Sequence, residues 1–141
     1  LAMTSNTAPF LVEATLAGQG VPEGAKFTIK VRPEWAPLGA ARFKELVEAQ
    51  YYDDQRFFRV LDGMYDIWIA QFGMHGDPAT HAAWKDKTIR DDPVKTSNKR
   101  GTISFAMRPS SRSHAPDPVL VTNLNLGMAT VGHTPEPRSC S

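Results

Sequence analysis

The sequence predicts a mainly β domain, an antiparallel barrel or sandwich with one capping helix. Three observations carry that expectation. Apolar side chains alternate through FLVEATLAG (10–18), KFTIKVRP (26–33) and GTISFAM (101–107), the period of a half-buried strand. Clusters of Gly, Pro, Asn and Asp punctuate the chain between such runs. Only PLGAARFKELVEAQYY (37–52) shows sustained helical spacing.

In chain order, the first two strands flank GQGVPEG, whose three glycines and one proline predict an antiparallel hairpin with a long turn. Phe27, Ile29 and Val31 share one face of the second strand. Pro37 suits the first turn of a helix, where its missing N–H has no intrahelical partner to lose. Phe43, Leu46 and Val47 form that helix's apolar stripe, and Arg42, Lys44, Glu45 and Glu48 are expected to face water. RFFRVL (56–61) reads as a strand and IWIAQF (67–72) as another or as its continuation. From Gly73 to Arg100 no period is sustained, which predicts a long, largely irregular excursion. In GTISFAM, Ile103, Phe105 and Met107 take one face, and Thr102, Ser104 and Ala106 the other. Beyond Met107, RPSSRSHAPDP and GHTPEPRSCS are turn-rich and disorder-prone, separated only by the modestly apolar VLVTNLNLGMATV.

Length and composition restrict function. At 141 residues, one domain covering 1–141 is expected. Sixteen basic against fifteen acidic side chains leave a formal charge of +1 and no electrostatic case for nucleic acid or an anionic membrane surface. The short basic run KTSNKRG reads as a solvated loop. No apolar run reaches the roughly 18 residues that a spanning helix needs. Cys140 is the only cysteine, so an intramolecular disulfide is excluded and a reducing compartment, with the cytoplasm favoured, is compatible. Any targeting signal is expected upstream of Leu1. His75, His81, His114 and His133 lack metal-ligand spacing, so no metal site is assigned. Ser104, Ser110, Ser111 and Ser113 lack a nucleophile-elbow context.

Three stretches in order, PEWAPLGAARFKELVEAQYYDDQRFFRVL (33–61), IAQFGMHGDP (69–78) and DDPVKTSNKRGTISFA (91–106), resemble the cyclophilin family of peptidyl-prolyl cis-trans isomerases. With the opening hairpin, the resemblance covers Phe10 to Met107, about two thirds of the chain. It implies an eight-stranded antiparallel β-barrel capped by helices and catalysed rotation about X-Pro bonds in protein folding. It implies no metal or organic cofactor. The implied partners are proline-containing peptides or proteins, with cyclosporin-like ligands at the same groove.

The reaction needs few polar groups. Resonance sets a barrier of about 18–20 kcal/mol to rotation about the peptide bond, and no proton or nucleophile has to be supplied to cross it. The catalyst must bind the twisted bond better than either planar form. As the bond twists, the prolyl nitrogen regains a lone pair, and a fixed guanidinium stabilises that state selectively. The resemblance gives this role to Arg59, in the Phe-x-Arg strand motif. It makes Gln71 the groove residue that hydrogen-bonds the substrate backbone. Trp68 and Ile69 match the apolar pair before that glutamine, and the indole is either a wall of the proline pocket or core packing. Ala106 matches the small residue beneath the substrate, Met107 replaces a polar or small one, and Phe58 flanks Arg59 as groove wall or barrel core.

Three departures from the family pattern bear on function. The segment from Arg59 to Gln71 is longer by about four residues, with MYDI the expected insertion. An outward bulge leaves Arg59 and Gln71 converging, whereas an odd register slip turns Gln71 to the opposite face. Where a glutamine-phenylalanine segment should floor the pocket, APDPVLVTN follows SSRSH, so Val121 is the nearest substitute for the phenylalanine. Nothing in 119–141 replaces the family's closing strands, so residues 108–141 are divergent and the barrel is expected to be incomplete at the C-terminus. A non-catalytic proline-peptide binding module and a degenerate paralogue are the alternative readings.

Overall fold

The structure, a computed structural model, describes residues 8–64, 67–87, 89–107 and 116–123, with 62–64, 67–68, 85, 107 and 116–123 described through their backbone. Six strands and two helices follow in the order β1 (Phe10–Thr15), β2 (Lys26–Val31), α1 (Pro37–Glu48), β3 (Arg59–Met64), β4 (Ile67–Phe72), α2 (Pro78–Lys85), β5 (Ile103–Met107) and β6 (Pro116–Asn123). β1 and β2 form one antiparallel hairpin, and a second sheet runs β3-β4-β6-β5. Among the described residues these sheets do not close into a barrel.

The opening hairpin follows its sequence pattern. Phe10 opposes Val31, Val12 opposes Ile29 and Ala14 opposes Phe27, so the six apolar side chains share one face. That face meets α1 and the second sheet in a core of Ile29, Val31, Ala40, Phe43, Phe72 and Ile103. Leu46, Tyr51 and Ala70 are also buried. Burying a side chain such as Phe43 contributes about 1.5–3 kcal/mol.

Helix α1 begins at Pro37 as its sequence implies and buries Gly39, Ala40, Phe43 and Leu46. Its N-cap, Ala36, has no side chain that can cap. The missing acceptor comes from Asp92, whose carboxylate oxygens take the Leu38 and Gly39 amides at 3.0 and 2.8 Å. The helix stops earlier than the apolar run. Gln50 adopts φ 55°, and the Tyr51 amide bonds back to the Leu46 carbonyl at 2.9 Å. This is a Schellman termination, with both Leu46 and Tyr51 buried.

Three features depart from expectation. Residues 73–100 are irregular over most of their length, but α2 lies within them. Asp77 caps it, accepting from the Ala79 and Thr80 amides at 3.4 and 2.9 Å, and Pro78 occupies the first turn. This Asp-Pro start signal was present, but eight residues are too few to establish a helical period. Arg42 does not face water. Its side chain is 19% exposed because the excursion folds over it, with Glu45 2.9 Å away, the Lys87 carbonyl as acceptor and the Trp84 ring 5.8 Å distant. Finally, a strand crosses the turn-rich tail: β6 lies between β4 and β5. Two prolines disguise it. Pro116 begins the strand and Pro118 falls in the irregularity between the Phe105–Leu120 and Met107–Pro116 pairs, where regular ladder bonds are not required.

Candidate active site

The site is built on the second sheet. β3 and β4 are antiparallel, with Arg59 directly opposite Gln71, Val60 opposite Ala70, Leu61 opposite Ile69 and Asp62 opposite Trp68. The extra residues therefore lengthen the hairpin outward from Arg59. A register shift lies between Asp62 and Met64, where Met64 opposes Ile67, so the irregularity sits beyond the ladder that fixes Arg59 against Gln71. Residues directly opposite in an antiparallel pair share a face. The odd-slip alternative does not occur.

Side chains follow this register. An Arg59 Nη1 proton is donated to Gln71 Oε1 at 3.2 Å, and the Phe58 amide donates to the Gln71 carbonyl at 3.0 Å. Arg59 is exposed and Gln71 half-buried, whereas Ala70 and Phe72 on the other face are buried. Among the described residues no carboxylate pairs with Arg59. One guanidinium hydrogen-bonding position is thus held by Gln71, and the planar group remains available to a ligand on the same face.

The remaining strands extend the row. Gln71 opposes Val121 on β6, and Val121 opposes Ser104 on β5, giving the sequence Arg59, Gln71, Val121, Ser104 across four strands. Ile69 has the strand parity of Gln71, and Ala106 has that of Ser104. These positions are brought to one sheet face with Arg59. Trp68 is not in the same set by register: three residues before Gln71, it has the parity of buried Ala70 and Phe72. Met107 likewise has the parity of buried Ile103, opposite Pro116. Phe58 precedes β3 and is 45% exposed.

The other face explains an unusual exposure. Val60 is opposite Ala70, which is 3% exposed, yet Val60 itself is 54% exposed. β3 is the outermost strand of its sheet, and no described element covers the inward face at that edge. Phe57 partly bridges the gap, its ring edge-on to Phe72 at 5.4 Å.

An aromatic cluster gathers around Tyr51, which the sequence pattern places at a helix end, and draws on His75 and Trp84 from the excursion expected to be irregular. The Tyr51 ring meets Tyr52 and His75 at 5.4 Å and Trp84 at 6.0 Å. Its hydroxyl donates to the Gly73 carbonyl at 2.9 Å. Burial raises the Tyr52 phenol well above its ordinary pKa; neighbouring Tyr51 adds to the shift and Arg42 opposes it. The Thr80 hydroxyl, followed by the Thr80 amide, holds the Asp77 carboxyl below its usual range. Among the described residues no group of three or more His, Cys, Asp or Glu side chains could hold a metal ion, and no helix is long and apolar enough to cross a membrane.

An exposed strand arginine stands directly opposite a glutamine on an open antiparallel sheet. The profile of the cyclophilin type peptidyl-prolyl cis-trans isomerase/CLD family matches residues 18–117. The chain belongs to that family and is of the peptidyl-prolyl cis-trans isomerase class. Its architecture is the family's strand-rich one, with the barrel unclosed among the described residues. Comparisons with curated proteins and with solved structures return no match.

Proposed function

We propose that the chain accelerates cis-trans exchange of X-Pro bonds in peptides and unfolded proteins, with Arg59 and Gln71 as the catalytic pair. The observation carrying this reading is their direct cross-strand pairing, with the side chains joined at 3.2 Å on an accessible face. A substrate laid across the row presents its prolyl nitrogen to the guanidinium, and Gln71 steadies both the arginine and the substrate backbone. Arg59 then donates to a lone pair that exists only when the bond is twisted, so it lowers the barrier without tightening ground-state binding. Ile69, Ala106 and Val121 line the same side of the sheet in this reading. Phe58 contributes from the margin just before β3, whereas Trp68 and Met107, at positions of opposite parity, take no part in it.

The test is exchange NMR on a proline tetrapeptide with the wild-type chain and Arg59→Ala. Loss of one preorganised donor is expected to lower the catalysed rate by about a hundredfold. Equal rates for the two proteins refute the assignment.

A second reading is a binding module for proline peptides. It is favoured by the valine opposite Gln71, at the position where the family resemblance expects an aromatic floor. Saturable binding of the tetrapeptide without acceleration of its exchange selects that reading.

A further inference from the structure

The Arg59–Gln71 pair lies at the open end of the β3–β4 hairpin, where the connecting turn exerts least control. Beyond it the two chains separate. One runs back through 55–58 toward α1, and the other turns at Gly73 toward α2. Among the described residues no strand supports Arg59 on its outer side, because β3 is an edge strand of its sheet. Its placement therefore depends on β4 and on whatever anchors the two departing chains.

Both chains are anchored to one residue. Tyr51 is 1% exposed, and its main-chain oxygen accepts from Gln55 Nε2 at 2.8 Å, holding the segment that leads into β3. Its hydroxyl donates to the Gly73 carbonyl at 2.9 Å, holding the segment that leaves β4 two residues after Gln71. The ring is fixed between Tyr52, His75 and Trp84. His81 Nδ1 lies 3.4 Å from the same hydroxyl, adding a contact from α2. Tyr51 itself is fixed by the helix-terminating bond from its amide to the Leu46 carbonyl. Gly73, at φ 111°, allows the sharp departure that brings its carbonyl to the hydroxyl.

We infer that Tyr51 is the positioning residue of the Arg59–Gln71 pair, setting the separation of the two strand ends that carry it. Its effect on rate rests on the isomerase reading, whereas the tether itself does not. An unpinned Gly73 lets the end of β4 shift against β3, weakening the Phe58 amide to Gln71 carbonyl bond and the Arg59 to Gln71 side-chain bond together. A displacement near 1 Å is enough to reduce a rate that depends on orientation.

The test is Tyr51→Phe, which retains the ring contacts and deletes the hydroxyl. By NMR on the full chain, Phe58 amide exchange is expected to accelerate by about tenfold, with amides of the β1–β2 hairpin changing by less than about twofold. The side-chain signals of Arg59 Nε and Gln71 Nε2 are expected to shift in the same spectra. In the tetrapeptide assay kcat is expected to fall by about threefold or more while KM stays within about twofold. A folded variant with unmoved Arg59 and Gln71 signals and unchanged Phe58 exchange overturns the inference. So does uniform loosening of both sheets, which indicates a general packing role. If Tyr51→Phe does not fold, Gln55→Ala releases the other tether, and unchanged Arg59 and Phe58 signals in that variant overturn the inference equally. A wild-type chain without isomerase activity refutes the catalytic reading alone, because the side-chain and exchange measurements still decide the tether.

Discussion

Replacing Asp92 tests how the excursion between β4 and β5 is held. Four N–H positions at a helix start lack intrahelical partners. In α1, Pro37 has no N–H and Leu38 and Gly39 donate to Asp92, whereas Ala40 makes the first intrahelical bond, to the Ala36 carbonyl at 2.8 Å. Asp92 therefore satisfies the two first-turn amides that the adjacent chain leaves open, from more than fifty residues away. Asp92→Ala removes a cap worth about 0.5–2 kcal/mol. Gly39 is buried and its amide is left without this acceptor, which places the loss toward the upper end of that range. Loss of negative charge at the helix start adds about 0.3–1 kcal/mol. The expected destabilisation is about 2–3 kcal/mol, or roughly 6–12 °C in Tm at about 3–4 °C per kcal/mol for a chain of this length. Asp92→Asn keeps one acceptor oxygen and is expected to lose about 0.5–1 kcal/mol. Urea unfolding followed by tryptophan fluorescence measures both, and Gly39 amide exchange localises the effect. An Asp92→Ala midpoint indistinguishable from wild type refutes the capping argument.

Two further perturbations address the helix ends. Gln50 is exposed and carries φ 55°, so Gln50→Gly is expected to stabilise the fold by about 0.5–1 kcal/mol, read as a rise in urea midpoint at constant slope. Because Asp77 has its folded pKa lowered, its contribution to stability is present above the unfolded carboxyl pKa and disappears as pH falls through the folded value. Asp77→Asn is therefore expected to flatten that acidic limb in melts recorded across pH, and an unchanged limb refutes the assignment.

Much of the fold was legible because short-range rules and tertiary needs agree there. β1 and β2 alternate, α1 opens on proline, and Ile103 to Met107 alternates on β5. The elements missed have long-range causes. β6 contains two prolines and becomes a strand by filling the space between β4 and β5, with its irregular stretch absorbing Pro118. Arg42 is covered by a segment more than forty residues later, which no helical wheel includes. For the candidate site, the motif directed attention to Arg59 and Gln71, but their facing register depended on where the added length entered the hairpin. Tyr51 looked like one of two tyrosines ending an amphipathic helix; only the folded chain brings Gln55 and Gly73 to its opposite ends. Val121 was reached through resemblance, and its position across from Gln71 depends on a strand that local pattern did not reveal.

The hairpin's length separates two kinds of constraint on the same pair. In an antiparallel ladder, additions at the turn lie outward from existing pairs and leave their shared face unchanged unless the register slips. Here the shift occurs between Asp62 and Met64, while pairing from Arg59–Gln71 through Asp62–Trp68 is uninterrupted. The tip can consequently vary while the pair is retained. The open end has no such tolerance: Gln55, Tyr51 and Gly73 join both departing chains over a few ångströms. A change there acts directly on the separation of Arg59 and Gln71, with no described strand supporting β3 on its outer side. For this chain, the residues flanking the two strand ends matter more to the pair's geometry than the inserted residues between its two members.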